Sequence, residues 1–323
     1  MPIKNLDKSS QMKKIIILTV ISILGIALFI LFGLTFDNMS FNLPRRALKV
    51  LAIAIVSFSI GYSSIVFQTI TGNRILTPGI MGLDSLYMFI QTVVVYFFGS
   101  RQLAMMTDTF QFFISGIIMV GASLLLYVFL FNGKMKNIYF LVLVGIIFGG
   151  FFNGLSNFMQ MMLDPNEFLV LQGKMFASFS AINIKLVGIY LVLIIFCIIS
   201  IIPDLKRLNV LSLGEDHAIN LGINCKRLIR KQMIVISVLI SVSTVLVGPV
   251  TFLGLLVASL AREVVKGYKH GIMIIIAFLI GNIALLYSLF IVERLLNFSA
   301  TISVIIDFIG GIYFIYLITR NQD

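Results

Sequence analysis

The sequence predicts an all-α integral membrane protein of ten transmembrane helices, and three observations carry that prediction. Of 323 residues, 59% are hydrophobic and 11% are charged, whereas roughly 25% are charged in an ordinary soluble domain. A soluble fold of this length would leave large apolar patches facing water. The apolar residues also gather in runs close to the ~20 residues a helix needs to cross hydrocarbon. Finally, most of the 24 lysines and arginines fall in alternate connections between those runs, as the positive-inside rule requires.

The runs fall at 15–34, 47–66, 79–98, 110–131, 138–162, 184–202, 233–248, 252–265, 273–292 and 301–319. Each must be helical, because hydrocarbon offers no partner to a bare N–H or C=O. The first follows Lys4, Lys8, Lys13 and Lys14, but it is longer than the ~7–15-residue core of a signal peptide and no A-x-A site follows it. It reads as a retained helix. The eighth is short and carries Arg262 and Glu263, so it reads as a partial helix lining protein rather than lipid. With the N-terminus inside, basic residues such as Arg74, Lys134, Lys136, Lys206, Arg230 and Lys269 are cytoplasmic, as are both termini. The net charge of +11 is then a topology signal, not a nucleic-acid one.

Residues 1–323 read as a single transmembrane domain, with no polar segment near the ~100 residues of a second one. No G-x-x-x-x-G-K-[ST] phosphate loop is present, so any ATP used with this chain is hydrolysed by another. Cys197 and Cys225 are far apart and read as small core residues. His217 and His270 fall in cytoplasmic segments and make no metal cage with them.

The connection 203–231 carries the clearest local signals. Ser212 and Glu215 have capping-box spacing, Asp216 suits a helix N-terminus, and Gly222 sits where a C-terminal glycine belongs. They predict a short helix over 213–221, either lying on the membrane surface or presented as a rigid knob to a partner. Elsewhere, Gly145, Gly149, Gly150 and Gly154 form two interleaved G-x-x-x-G spacings, which suit close helix packing. Asn153, Asn157 and Gln160 offer polar contacts on the same run. Met159, Met161 and Met162 read as adaptable packing. Asp84 and Asp307 are carboxylates within spans and hence functional candidates; Asp84 lies near the cytoplasmic end of its run, where it can reach water.

LSLGEDHAINLGIN (211–224) resembles the Leu-Gly-Glu…Ala…Leu-Gly segment of the FecCD-type iron-siderophore permeases, relatives of the cobalamin importer permease. GPVTFLGLLVASLAR (248–262) is similar to their Gly-Pro block, with Ala258-Ser259 in place of Pro-His. NLPRRAL resembles their R-L-P-R signature with Asn42 for the first arginine, and GNRILTPGIMGLDS their N-P-L-A-x-P-G signature with Arg74 for the proline. ERLLNFSATISVIIDFIGGIYFIYLI resembles their last two helices. The resemblance runs in order from about residue 43 to the C-terminus.

It implies a cobalamin-importer-like permease fold in the bacterial cell membrane, moving a ferric siderophore. A second permease subunit (copy or paralogue), two cytoplasmic ATPases and an external substrate-binding protein would complete the importer. No cofactor is implied in this chain: ATP and magnesium would sit on the ATPase. Ser212, Leu213, Gly214, Glu215, Ala218, Leu221 and Gly222 would form the ATPase contact. Arg45 and Arg294, with Arg46 beside them, would dock the binding protein; the other reading of Arg45, Arg46 and Lys49 is snorkelling to headgroups. Asn153, Asn157, Gln160 and Asp307 would line the pathway, and the loop 132–137 would lie at the cytoplasmic gate. The alternative is a proton-coupled secondary transporter using Asp84 and Asp307. A membrane enzyme lacks a convincing base–nucleophile or metal constellation.

Overall fold

The computed structural model describes residues 8–34, 39–105, 113–122, 138–179, 182, 184–265 and 267–320, and among them the chain is helical with no strand. The helices are α1 (Lys8–Leu31), α2 (Met39–Thr71), α3 (Leu83–Met105), α5 (Ile138–Met161), α6 (Pro165–Met175), α7 (Ile184–Ile201), α8 (Leu205–Leu211), α9 (Glu215–Asn220), α10 (Cys225–Val247), α11 (Leu253–Val265), α12 (His270–Phe290) and α13 (Ile302–Arg320), with α4 over Phe113–Ala122. Six of them, α1, α2, α5, α7, α10 and α12, are long and apolar enough to cross a membrane. The predicted count of ten therefore rests also on four shorter apolar helices: α3, α4, α13 and the 13-residue α11. Parts of the predicted run 110–131, and all of the loop 132–137 with its Lys134 and Lys136, lie outside the described residues.

The long α2, 33 residues and about 50 Å at 1.5 Å per residue, is the axis of the fold. Its apolar window is 78% buried, against 17% for α1 and 22% for α5, which places those two at the periphery. Around α2 pack α12, α10, α11 and α7. Lipid is as apolar as leucine, so such helices are held by close packing rather than by the hydrophobic effect. Small residues supply that packing: a Cβ on Gly61 would lie 3.3 Å from the Ala277 Cβ, and one on Gly281 3.2 Å from that of Ser57.

Among the described residues, two helix breaks stand within the packed interior, apart from the kink at Gly99 (φ +77°) in α3. After α2, Gly72 takes φ +62° and residues 73–77 run irregularly into a 3-10 turn at Pro78–Met81. Gly82 (φ +77°) then lies against α5, where a Cβ would come 2.7 Å from the Cα of Gly149. The predicted third span is corrected accordingly: residues 79–82 form the turn and the helix starts at Leu83. Asp84 is corrected as well. Its half-buried side chain stands far from the start of α10 at Cys225: Oδ1 accepts a 3.3 Å bond from the hydroxyl of Thr244, three residues before that helix ends. Because α2 runs so far, the chain returns through the interior before α3 begins.

The second break, between α10 and α11, is closed by the segment after α6. Ser178 N–H donates to Val247 O (2.7 Å) and Ala177 N–H to Ser303 Oγ (2.8 Å), which itself donates to Pro249 O (3.4 Å). Beyond the break, the carboxylate of Asp307 on α13 lies near the backbone N–H of Phe252, and among the described residues its Oδ1 has no hydrogen-bond partner.

Gly82→Ala is expected to lower the melting temperature of the purified chain in detergent, since the strained φ alone costs about 1–3 kcal/mol. Gly150→Ala, with nothing within 4 Å of its Cβ, should leave it unchanged. Equal melting temperatures for the two variants would refute the close approach at Gly82.

Candidate functional site

At one end of α2, residues 202–224 build a compact knob. A 3-10 turn at Ile202–Asp204 leads into α8, whose Leu208 and Leu211 are buried. α9 follows, with Ala218 fully buried beneath it. The predicted capping box does not form. Gly214, not Ser212, is the N-cap residue of α9, and the Ser212 hydroxyl turns back to donate to Asn209 O (2.7 Å). The helix accordingly covers Glu215–Asn220 rather than 213–221. Ser212 instead follows the end of α8, and the turn to α9 is made by Gly214 at φ +112°. Gly222 stands as predicted: at φ +81° it donates to Ile219 O, and Ile223 N–H to Ala218 O, which is a Schellman closure.

The tip is apolar and bare. Leu213, Ile219 and Leu221 are 60%, 53% and 65% exposed, beside the exposed Glu215, Asp216 and His217. Exposed large apolar side chains rimmed by charge mark a surface that meets a protein or a membrane.

The knob's base is pinned by Asp204, which sequence reasoning missed. Its carboxylate is 1% exposed and accepts from Arg207 (2.9 Å), Lys231 (2.6 Å) and Gln232 (3.1 Å). Gln232 accepts in turn from the Tyr62 hydroxyl on α2. These partners lie up to 170 residues apart in sequence, so no local spacing announces them.

At the other end of α2 lies a basic concavity of about 710 Å³, lined by Asn42, Arg45, Lys49, Glu293, Arg294 and Phe298 among others. The four cations there are not equivalent. Arg46 is buried and donates to Phe29 O (3.4 Å), Ile30 O (2.6 Å) and Phe32 O (2.8 Å), satisfying carbonyls that the end of α1 leaves bare. Lys49 pairs with Glu293. Arg45 is exposed, its guanidinium 3.8 Å above the Phe41 ring. Arg294, on a π-helical turn after α12, donates to Phe32 O (3.5 Å) and lies 6.0 Å from that ring. Among the described residues, most guanidinium donors of Arg45 and Arg294 have no partner.

On α5 the two glycine spacings have different uses. Gly145 and Gly149 are buried against Gly82, whereas Gly150 and Gly154 are exposed with nothing near them. Asn153 and Asn157 are exposed on that open face, while Gln160 donates to Thr92 Oγ1 on α3 (3.2 Å). A stripe of glycine and asparagine is a poor surface for lipid, where amide groups find no partners.

A multi-helix membrane protein with an apolar knob at one end and a basic basin at the other has the layout of a transporter subunit that works with other chains. The profile of the FecCD transport family matches residues 15–320, and the chain belongs to that family. Over 309 residues it is 48% identical to the petrobactin import system permease protein YclO of Bacillus subtilis, covering 96% of this chain and 98% of that one. It is 35% identical to the petrobactin import system permease protein FatC of Bacillus anthracis, with 88% and 81% covered. Among solved structures, a metal-chelate type ABC transporter in an inward-facing conformation superposes with a TM-score of 0.83 at 21% identity, covering 96% of this chain and 99% of that one. None of these relatives supports the proton-coupled alternative.

Gly214→Ala should strain the turn into α9 by about 1–3 kcal/mol. Amide exchange in residues 215–220 is expected to accelerate while the global melting temperature holds. Unchanged exchange there would show that the turn does not depend on glycine.

Proposed function

We propose that the chain is the membrane-spanning permease subunit of an ATP-driven importer in the bacterial cell membrane, with a ferric siderophore of the petrobactin type as its cargo. The observation that carries this reading is the polarity of the fold: an apolar knob and a basin lined by Arg45 and Arg294 at opposite ends of α2. In this reading the knob and both termini are cytoplasmic, and Leu213, Ile219 and Leu221 seat in an ATPase subunit. Gly214 and Gly222 shape the turns on either side, Ala218 anchors the helix, and Ser212 and Glu215 flank the contact. ATP and magnesium are bound by that partner, and this chain catalyses no reaction itself.

The basin is then external. Arg45 and Arg294 offer planar forks of donors suited to carboxylates on the lobes of a substrate-binding protein, while Arg46 serves the shape of the basin. The glycine–asparagine stripe of α5, with Asn153 and Asn157, faces the pathway and a second permease subunit; Gln160 and Asp307 stand nearer the packed interior. Petrobactin as cargo is supported by both relatives named above being petrobactin import permeases, one of them 48% identical over 98% of its length.

The deciding experiment reconstitutes the permease with its ATPase and binding protein in liposomes. Uptake of radio-iron-loaded petrobactin should require internal ATP and survive collapse of the proton gradient; uptake that needs the gradient and not ATP would overturn the reading. Arg45→Glu with Arg294→Glu should slow binding-protein association at low salt on the order of tenfold. Unchanged association at low ionic strength would remove the docking role.

A further inference from the structure

Between the knob and the membrane helices runs a second set of partly buried hydrogen bonds, distinct from the Asp204 cluster. Asn209 Oδ1 on α8 contacts both the backbone N of His270 (2.8 Å) and its ring Nδ1 (2.9 Å). A backbone N–H can only donate, so the Asn209 atom is the amide oxygen and the ring nitrogen facing it carries a hydrogen. Nε2 is then the acceptor for the hydroxyl of Thr69 on α2 (2.8 Å). That leaves the Ile65 carbonyl to Arg262 Nη2 (3.3 Å), whose Nε also donates to Gln68 Oε1 (3.0 Å). Gln68 in turn donates to Arg74 O (2.6 Å) in the segment leading to α3. Each member has a partner, and His270 is fully buried.

Two further facts give this set a direction. Asn209 also receives, on its backbone carbonyl, the hydroxyl of Ser212 from the turn that precedes α9. And α12, which begins at His270, continues without a break into the π-helical turn that carries Glu293 and Arg294. One rod of about 30 Å therefore has Asn209 gripping one end and the basic basin at the other. Along it α12 packs on α2 and α11 through small residues such as Ala277 and Gly281, contacts that transmit displacement because they have no slack.

We propose that Asn209 and His270 are the positioning pair through which movement of the knob reaches α12, α2 and α11, and through which an event at the basin reaches the knob. This rests on the reading that the knob seats in an ATPase. Asn209 grips both the backbone and the ring of His270, so α8 cannot shift without carrying the first turn of α12. Coupling of binding free energies is reciprocal, so binding at the basin is felt at the knob through the same pair, and its effect on ATP hydrolysis is what the experiment reads.

The test uses the full complex in liposomes with loaded binding protein and radio-iron-loaded petrobactin. Asn209→Leu keeps the volume and removes both bonds. His270→Gln reaches Thr69 but not Asn209, and His270→Asn places an amide N–H where Nδ1 stood. Asn209→Leu and His270→Gln are expected to retain complex assembly and basal ATP hydrolysis within about twofold, while iron moved per ATP and stimulation by binding protein fall about five- to tenfold. His270→Asn should stay within about twofold of the parent protein on both readouts. A purely structural role would lower uptake and hydrolysis together and leave their ratio unchanged; that result, or an unaltered ratio in His270→Gln with full uptake, overturns the proposal. If the ATPase fails to assemble with the unmutated permease, the docking reading falls first and this proposal with it.

Discussion

Inside hydrocarbon a backbone group without a partner costs several kcal/mol, and the architecture follows from how this chain meets that constraint at its two breaks. The segment after α2 and the connection between α10 and α11 both leave helical geometry within the packed interior. Each is sealed by protein. Gly82 lies on the backbone of Gly149 with no side chain between, and Ser178 N–H and the Ser303 hydroxyl donate to Val247 O and Pro249 O while Ala177 N–H donates to Ser303 Oγ. These seals decide which helices must be neighbours: α5 must lie on the start of α3, and α6 must place its trailing segment over the end of α10.

Polarity is distributed by the same rule. The middle of the α2–α12 contact is made of glycine, alanine and serine, which let backbones approach without burying charge. The charged and amide side chains concentrate at the two ends, where each has a defined task. Arg46 caps the carbonyls of α1 and Lys49 neutralises Glu293 at the basin, while Asp204 gathers Arg207, Lys231 and Gln232 beneath the knob. A buried carboxylate held by two cations and an amide does little for net stability, but losing one partner is costly, so the cluster holds the knob in one orientation. Among the described residues, Arg45, Asn153 and Asn157 are left exposed, and under the proposed function such groups face other chains.

Much of this was legible in particular residues. Gly222 ends a helix in the left-handed region because an L side chain there is strained, and its place after Leu221 announced that. The four glycines of α5 announced close approach, but not that Gly145 and Gly149 meet a third glycine while Gly150 and Gly154 stay open; the angle of α5 against α3 decides that. Ser212 and Glu215 had the spacing of a capping box, yet the hydroxyl found the nearer Asn209 carbonyl once α8 formed ahead of it. Arg45 and Arg46 are adjacent and equally basic in sequence, and they part because successive helical residues point about 100° apart, one into the end of α1 and one to the exterior.

By itself the sequence determined that the chain is a bundle of membrane helices, roughly where each begins and ends, which connection forms the knob, and which family the chain belongs to. Those properties are written in local runs of hydrophobicity, in cap and turn residues, and in motifs read in order along the chain. The tertiary structure alone decided that Asp84 sits in the interior against Thr244, that Asp204 joins α8, α10 and α2, and that Asn209 grips His270 at the foot of α12. These pairings link residues 28 to 170 positions apart, and no local periodicity reports them. They exist because polar groups enclosed by hydrocarbon must find one another, and only the packed arrangement of helices determines which ones meet.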